Sequence, residues 1–174
     1  MEEKSPSLGA LEALLFASPS PLSPGDLSRL LGVSRPEVEQ LLARLEEELA
    51  RPERGLSLRR VAGGVRLMTR PEYAPLVEKV AGNHRQPALT RAALATLAIV
   101  ATRQPLTRSE IEEIRGADSA RPLRLLLEMG LVRQVGRRPG PGAPPLYGTT
   151  RTFLERFGLE SLEALRQALP SIKG

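Results

Sequence analysis

A chain of 174 residues with no cysteine and a single histidine holds no disulfide, no thiolate nucleophile and no cysteine-ligated zinc. Its formal charge of +5 lies entirely in the second half: residues 1–83 carry 11 basic and 12 acidic side chains, residues 84–174 carry 14 and 8. That balance suits contact with nucleic acid or with an acidic protein partner. No apolar run approaches the ~20 residues of a membrane span, and MEEKSPS lacks the basic start of a secretory signal, which predicts a soluble intracellular protein.

Leu11, Leu14 and Leu15 recur at helical spacing, predicting a helix over 8–17 that stops at SPSP. Ser23 caps the next helix with Pro24 at its first position, Leu22 is placed to staple onto Leu27, and Gly32 closes it. Ser34 and Glu37 form a capping box for a third helix of about 15 residues, whose apolar stripe is Val38, Leu41, Leu42, Leu45 and Leu49. LSLRRV and VRLMT flank Gly63 and Gly64, the dipeptide expected to form a two-residue hairpin turn. Residues 71–82 read as a closing helix.

NHRQP is a polar linker, and His84 within it, without companions, reads as solvated rather than catalytic. Thr90 then opens a helix with the face Leu94, Leu97, Ala98 and Ala101. Thr107 with Glu110 repeats the capping box, Leu106 is placed to staple onto Ile111, and Gly116 and Asp118 replay Gly32 and Ser34 as stop and start. Leu125, Leu126, Leu127 and Met129 mark the following helix. LVRQV and PLYGTT predict a second hairpin around GRRPGPGAPP, residues 136–145, a long exposed loop. TRTFLERFGL and SLEALRQAL predict two short closing helices.

Laid on itself at an offset of 84, the chain superimposes Leu22, Leu27, Leu30, Gly32, Leu41 and Leu42 on Leu106, Ile111, Ile114, Gly116, Leu125 and Leu126. One helical module is used twice. The fold class is mainly α with small β hairpins: two tandem winged-helix (helix-turn-helix) domains, residues 1–83 and 90–174, joined by a linker at 84–89. Modules this small bury only about 60% of their unfolded surface, so association adds stability.

A DNA reader presents Arg, Lys, Asn or Gln on its third helix. In the first module that helix carries Glu37, Glu39, Glu46, Glu47 and Glu48 beside Arg44 and, at its first position, Arg35, a surface that repels phosphate. In the second, Arg121 and Arg124 on the third helix and Arg133, Arg137 and Arg138 in the wing are candidates for weak nucleic-acid contact or for a solvated face. No phosphate loop, carboxylate pair or nucleophile with an adjacent histidine is present, so no enzyme and no cofactor is expected. Phe153, Phe157 and Tyr147 belong either to the local core or to a docking surface.

The order EALLFAS, RGLSLRRVAGGVRLMT, LYGTT, FLERFGL and SLEAL resembles the segregation and condensation protein B (ScpB) family. The most specific run is Thr96, Leu97, Ala98, Ile99, Arg103, Gln104, Pro105, Leu106, Thr107, Arg108, Ile114, Arg115 and Gly116. The resemblance implies a cytoplasmic, nucleoid-associated and non-enzymatic adaptor of the bacterial SMC complex. Such an adaptor homodimerises through its first module and binds the kleisin ScpA, which bridges the SMC ATPase heads. It acts in chromosome condensation and segregation during cell division, with DNA contact indirect or weak. A winged-helix transcription regulator is the alternative. The kleisin is expected at Arg103, Gln104, Arg108, Arg115 and Tyr147, each Arg serving otherwise in a surface ion pair. Leu11 and Leu45 are expected to be shared between core and dimer contact.

Overall fold

The computed structural model describes residues 7–81 and 88–168; His84 and most of the expected 84–89 linker lie outside them. Two compact units divide the chain, residues 1–85 and 86–174. Each is a winged helix.

In the first unit, α1 (Leu8–Ala17), α2 (Pro24–Leu31) and α3 (Arg35–Leu49) precede the antiparallel pair β1 (Leu56–Val61) and β2 (Gly64–Thr69). Ser23 accepts from the Asp26 amide to cap α2, and Gly32 ends it in the left-handed conformation at φ 69°. At α3 the Glu37 carboxylate accepts from the Ser34 amide at 2.8 Å and from its hydroxyl at 2.6 Å. The whole predicted stripe of α3 is buried and meets Leu11, Leu15, Leu27 and Val65 in one core. Each such side chain contributes roughly 1.5–3 kcal/mol by leaving water.

The first wing turns one residue earlier than the Gly63–Gly64 dipeptide suggests. Val61 pairs with Gly64, so the turn residues are Ala62 (φ 51°) and Gly63 (φ 72°), both in the positive region that a primed turn requires. Gly64 serves a different purpose. A Cβ there would stand 2.9 Å from the Leu22 carbonyl oxygen and 3.0 Å from the Pro21 carbonyl carbon, because Leu22 pairs with Val65 of β2 in an isolated bridge through reciprocal hydrogen bonds of 3.0 and 2.8 Å. A short 3-10 turn (Pro71–Tyr73) and α4 (Ala74–Ala81) close the unit.

The second unit repeats the order with α5 (Arg91–Arg103), α6 (Arg108–Arg115), α7 (Ala120–Glu128), β3 (Val132–Arg137) and β4 (Pro145–Thr149), then adds α8 (Arg151–Phe157) and α9 (Leu162–Ala168). Leu89, assigned to the linker by sequence, packs against this core. Leu106 bridges to Tyr147 as Leu22 does to Val65. Two expectations shift. The buried side of α5 is Ala93, Thr96, Leu97, Val100 and Ala101, which keeps Leu97 and Ala101 of the predicted face, whereas Leu94 and Ala98 are exposed, because the burial arc is centred about 80° from the predicted one. The N-cap position of α7 is Ser119 rather than Asp118; Asp118 Oδ1 still accepts from the Ala120 amide at 3.4 Å, while the Ser119 amide donates to Glu112 Oε1 of α6 at 3.1 Å, so the two carboxylates share the orphan amides of the helix start.

The second wing is a bulged pair, irregular between Gln134 and Gly136. Pairing of Gly136 with Leu146 and Arg137 with Pro145 shortens the loop to 138–144. That loop is held across its base by a hydrogen bond from the Arg138 amide to the Pro144 carbonyl, 2.9 Å.

Candidate partner-binding surfaces

Of the five residues expected to meet a kleisin, the fold itself engages three. Gln104, at the end of α5, clamps β4: its Oε1 accepts from the Thr149 amide at 2.7 Å, and its Nε2 donates to Thr149 Oγ1 at 2.9 Å. Arg115 spans the helix-turn-helix corner, donating to the Asp118 carbonyl at 2.6 Å and to Ser119 Oγ at 3.1 Å. Tyr147 is buried in the second core. Arg103 and Arg108 are exposed, the latter 3.2 Å from Glu112 in an i,i+4 pair worth no more than about 0.5 kcal/mol. Arg108 and Tyr147 do meet, with Thr107, Ser109, Pro144 and Pro145, around a recess of about 270 Å³.

The basic set divides likewise. Arg138 donates to both oxygens of Glu110 at 2.6 and 2.7 Å, and Arg137 to the Ala143 carbonyl at 3.1 Å. These two of the three wing cations are tied to protein acceptors, although their side chains remain exposed. Arg121, Arg124 and Arg133 are exposed and make no ion pair among the described residues.

Leu11 and Leu45 are 0% and 1% exposed, inside the core of their own unit. Burial on all sides leaves neither with surface for a second chain, which corrects their expected share in dimer contact. The exposed apolar material of the first unit is elsewhere: Phe16 at 80%, Leu30 at 55%, and Leu76 and Val80 of α4 at 59% and 90%. Sequence reasoning assigned none of these to a surface. The offset-84 repeat carried one signal: Leu30 and its equivalent Ile114 are both exposed on the second helix of their unit, where a core-only pattern has no use for them. In the second unit Leu94, Ala98, Phe157 and Leu165 line an apolar groove of about 240 Å³, floored by Phe153, whose ring centroid lies 5.1 Å from that of Phe157.

Each capping box holds a carboxylate that titrates below its ordinary range. Hydrogen bonds from the Ser34 hydroxyl and then its amide hold Glu37 below the usual carboxylate range. For Glu110 the Thr107 amide leads, followed by the Thr107 hydroxyl and Arg138. A depressed folded-state pKa stabilises above the unfolded value of about 4.3, and that contribution is lost as pH falls through the folded value. Tm should therefore fall between about pH 5 and 3 more gently in Glu37→Gln/Glu110→Gln than in wild type. Parallel pH profiles would remove the boxes from the acid response.

Among the described residues no group of His, Asp and Glu is arranged to hold a metal ion, and no helix is long and apolar enough to cross a membrane. A family model described as segregation and condensation complex subunit ScpB matches residues 9–168. Segregation and condensation protein B of Moorella thermoacetica is 51% identical over 156 residues, covering 90% of this chain and 80% of that protein. The crystal structure of ScpB from Mycobacterium tuberculosis is 36% identical with a TM-score of 0.43, covering 91% of this chain and 99% of that one. A dimer of ScpB N-terminal domain complexed with ScpA peptide is 34% identical with a TM-score of 0.42, covering 43% of this chain and 94% of that one. With two winged helices in tandem and a family match running from the first helix to the last, the chain belongs to the segregation and condensation complex subunit ScpB family.

Proposed function

We propose that this chain is a non-enzymatic subunit of the bacterial SMC–kleisin complex, cytoplasmic and nucleoid-associated, that homodimerises through its first unit and binds ScpA in chromosome condensation and segregation. Membership of the family supports the assembly. The observation that carries the dimer is α4. Its residues 74–80 are all exposed, and its one substantial packing partner among the described elements of the unit is the 3-10 turn before it. A helix of 8 residues is not stable alone in water, since helices below about 12–15 residues depend on tertiary packing. Leu76, Val77 and Val80 therefore need a covering surface. A second copy of the unit, with its own Phe16, Leu30 and α4, offers apolar area of the same kind in an isologous contact.

For ScpA, the surface this chain offers on its second unit is narrower than its sequence suggests: exposed Arg103 and Arg108 and the recess that Arg108 shares with Tyr147. Gln104 and Arg115 contribute by shaping it rather than by contact.

Sedimentation of the full chain at roughly tens of micromolar is expected to give a dimer, and Leu76→Arg/Val80→Arg a folded monomer, because both side chains are solvent-exposed within one copy. Persistence of the dimer in that variant would remove α4 from the interface. For the complex, the full chain is expected to co-purify with ScpA after nuclease treatment; ScpA loss under nuclease would overturn direct binding.

A further inference from the structure

Between the start of α5 and the exposed side of α7 lies a groove of about 620 Å³. Its floor is apolar, made by Ala92, Pro122 and Leu125, and Arg121, Arg124 and Glu128 stand along α7 beside it. The two arginines are three residues apart, one turn, so they project to the same side. Several other cations of the unit are engaged: Arg108 pairs with Glu112, Arg138 with Glu110 and Arg151 with Glu155, and Arg115 donates to the corner before α7. Arg121 and Arg124 have no such partner among the described residues. Even Glu128, at the i,i+4 position from Arg124, makes no ion pair with it.

Two unpaired guanidiniums over an apolar concavity match one chemistry: carboxylates placed to accept planar, forked hydrogen bonds, on a segment whose leucine-like side chains fill the floor. A duplex backbone matches less well. It offers nothing apolar for Leu125, Pro122 and Ala92 to cover, Glu128 repels its phosphates, and two of the three wing arginines, Arg138 and Arg137, are engaged by Glu110 and by the Ala143 carbonyl. We infer that the α5–α7 groove docks an acidic peptide segment of a partner protein, anchored by apolar side chains on its floor. This site is separate from α4 and does not depend on how the first unit associates.

The probe is a displayed library of random peptides of about 16 residues, long enough for some four helical turns, panned on the purified full chain. Enriched peptides are expected to combine Asp or Glu with Leu, Ile or Met. Synthetic copies should lose at least about tenfold in affinity for Arg121→Glu/Arg124→Glu and gain a few-fold for Glu128→Lys, an increase that misfolding cannot produce. Enrichment without acidic residues, or peptides that bind the double variant as well as wild type, would overturn the proposal. So would a double variant that loses binding to a random duplex while keeping the peptides, since that outcome assigns the arginines to phosphate.

Discussion

Gly64→Ala is expected to destabilise the first unit by about 1–3 kcal/mol, the range for forcing extra atoms into a filled interior. The added methyl meets backbone rather than a side chain that can rotate away: the Leu22 carbonyl oxygen at 2.9 Å and the Leu22 and Pro21 carbonyl carbons at 3.0 Å. Relief requires Leu22 to move off β2, which lengthens its two hydrogen bonds to Val65 and disturbs the entry to α2, capped by Ser23 at the next residue. Urea denaturation followed by circular dichroism should show the loss, with Tm lowered by roughly 4–8 °C for each kcal/mol in a unit of this size. The equivalent close approach in the second unit is at Gly148, where a Cβ would meet Gln104 Oε1 at 2.8 Å and Val135 Cγ1 at 2.9 Å. Both are side chains, so Gly148→Ala should cost less, with the clamp from Gln104 to Thr149 as its main casualty. Equal losses at the two glycines would show that the backbone at Leu22 yields as readily as a rotamer.

Leu45→Arg is expected to abolish folding of the first unit rather than to yield a folded monomer. Leu45 is 1% exposed among Val38, Leu41, Leu42, Leu49 and the α1 leucines, and a guanidinium placed there has neither water nor a carboxylate. The cost of an unpaired buried charge, several kcal/mol, rivals the entire stability of a small domain, about 5–15 kcal/mol. The contrast with Leu76→Arg/Val80→Arg is the useful part: the same residue type is introduced in both, and only burial differs. A folded Leu45→Arg protein sedimenting as a monomer would return Leu45 to the dimer interface.

Helices, caps and repeat were legible because they are written in local chemistry. Ser23, Gly32, Thr107 and Gly116 act within one turn of chain, and the structure shows each in the expected role. What escaped was whatever depends on a residue distant in sequence. Gly63 and Gly64 look alike as a dipeptide, yet the register is set by where Leu22 lies against β2, and that contact spans about 40 residues. On α5, helical periodicity alone fits both the predicted face and the observed one, and the difference lies in which side α6, α7 and β4 cover. Gln104 and Arg115 fall in the run most specific to the family and so drew attention as contact residues. Their hydrogen-bond partners within the unit are Thr149, Asp118 and Ser119, contacts that no local pattern announces. The exposed faces of α4, Phe16 and Leu30 escaped for the opposite reason, since a leucine or phenylalanine at helical spacing reads as core until the core is seen to be full without it.

The two wings are unequal in what they permit the chain to become. In the first, a two-residue turn sits directly against a glycine wedged beneath the backbone of Leu22, so an inserted residue there would flip every side chain of β2 to the wrong face. In the second, the strands are already paired across Arg137 and Pro145 and the loop base is closed by Arg138 and Pro144, leaving the tip outside the load path. Doubling such a tip adds only about 0.6 kcal/mol of loop entropy. Length variation between relatives should therefore accumulate at residues 139–143 and be purged at 62–63, giving one wing latitude to diverge while its twin stays constant.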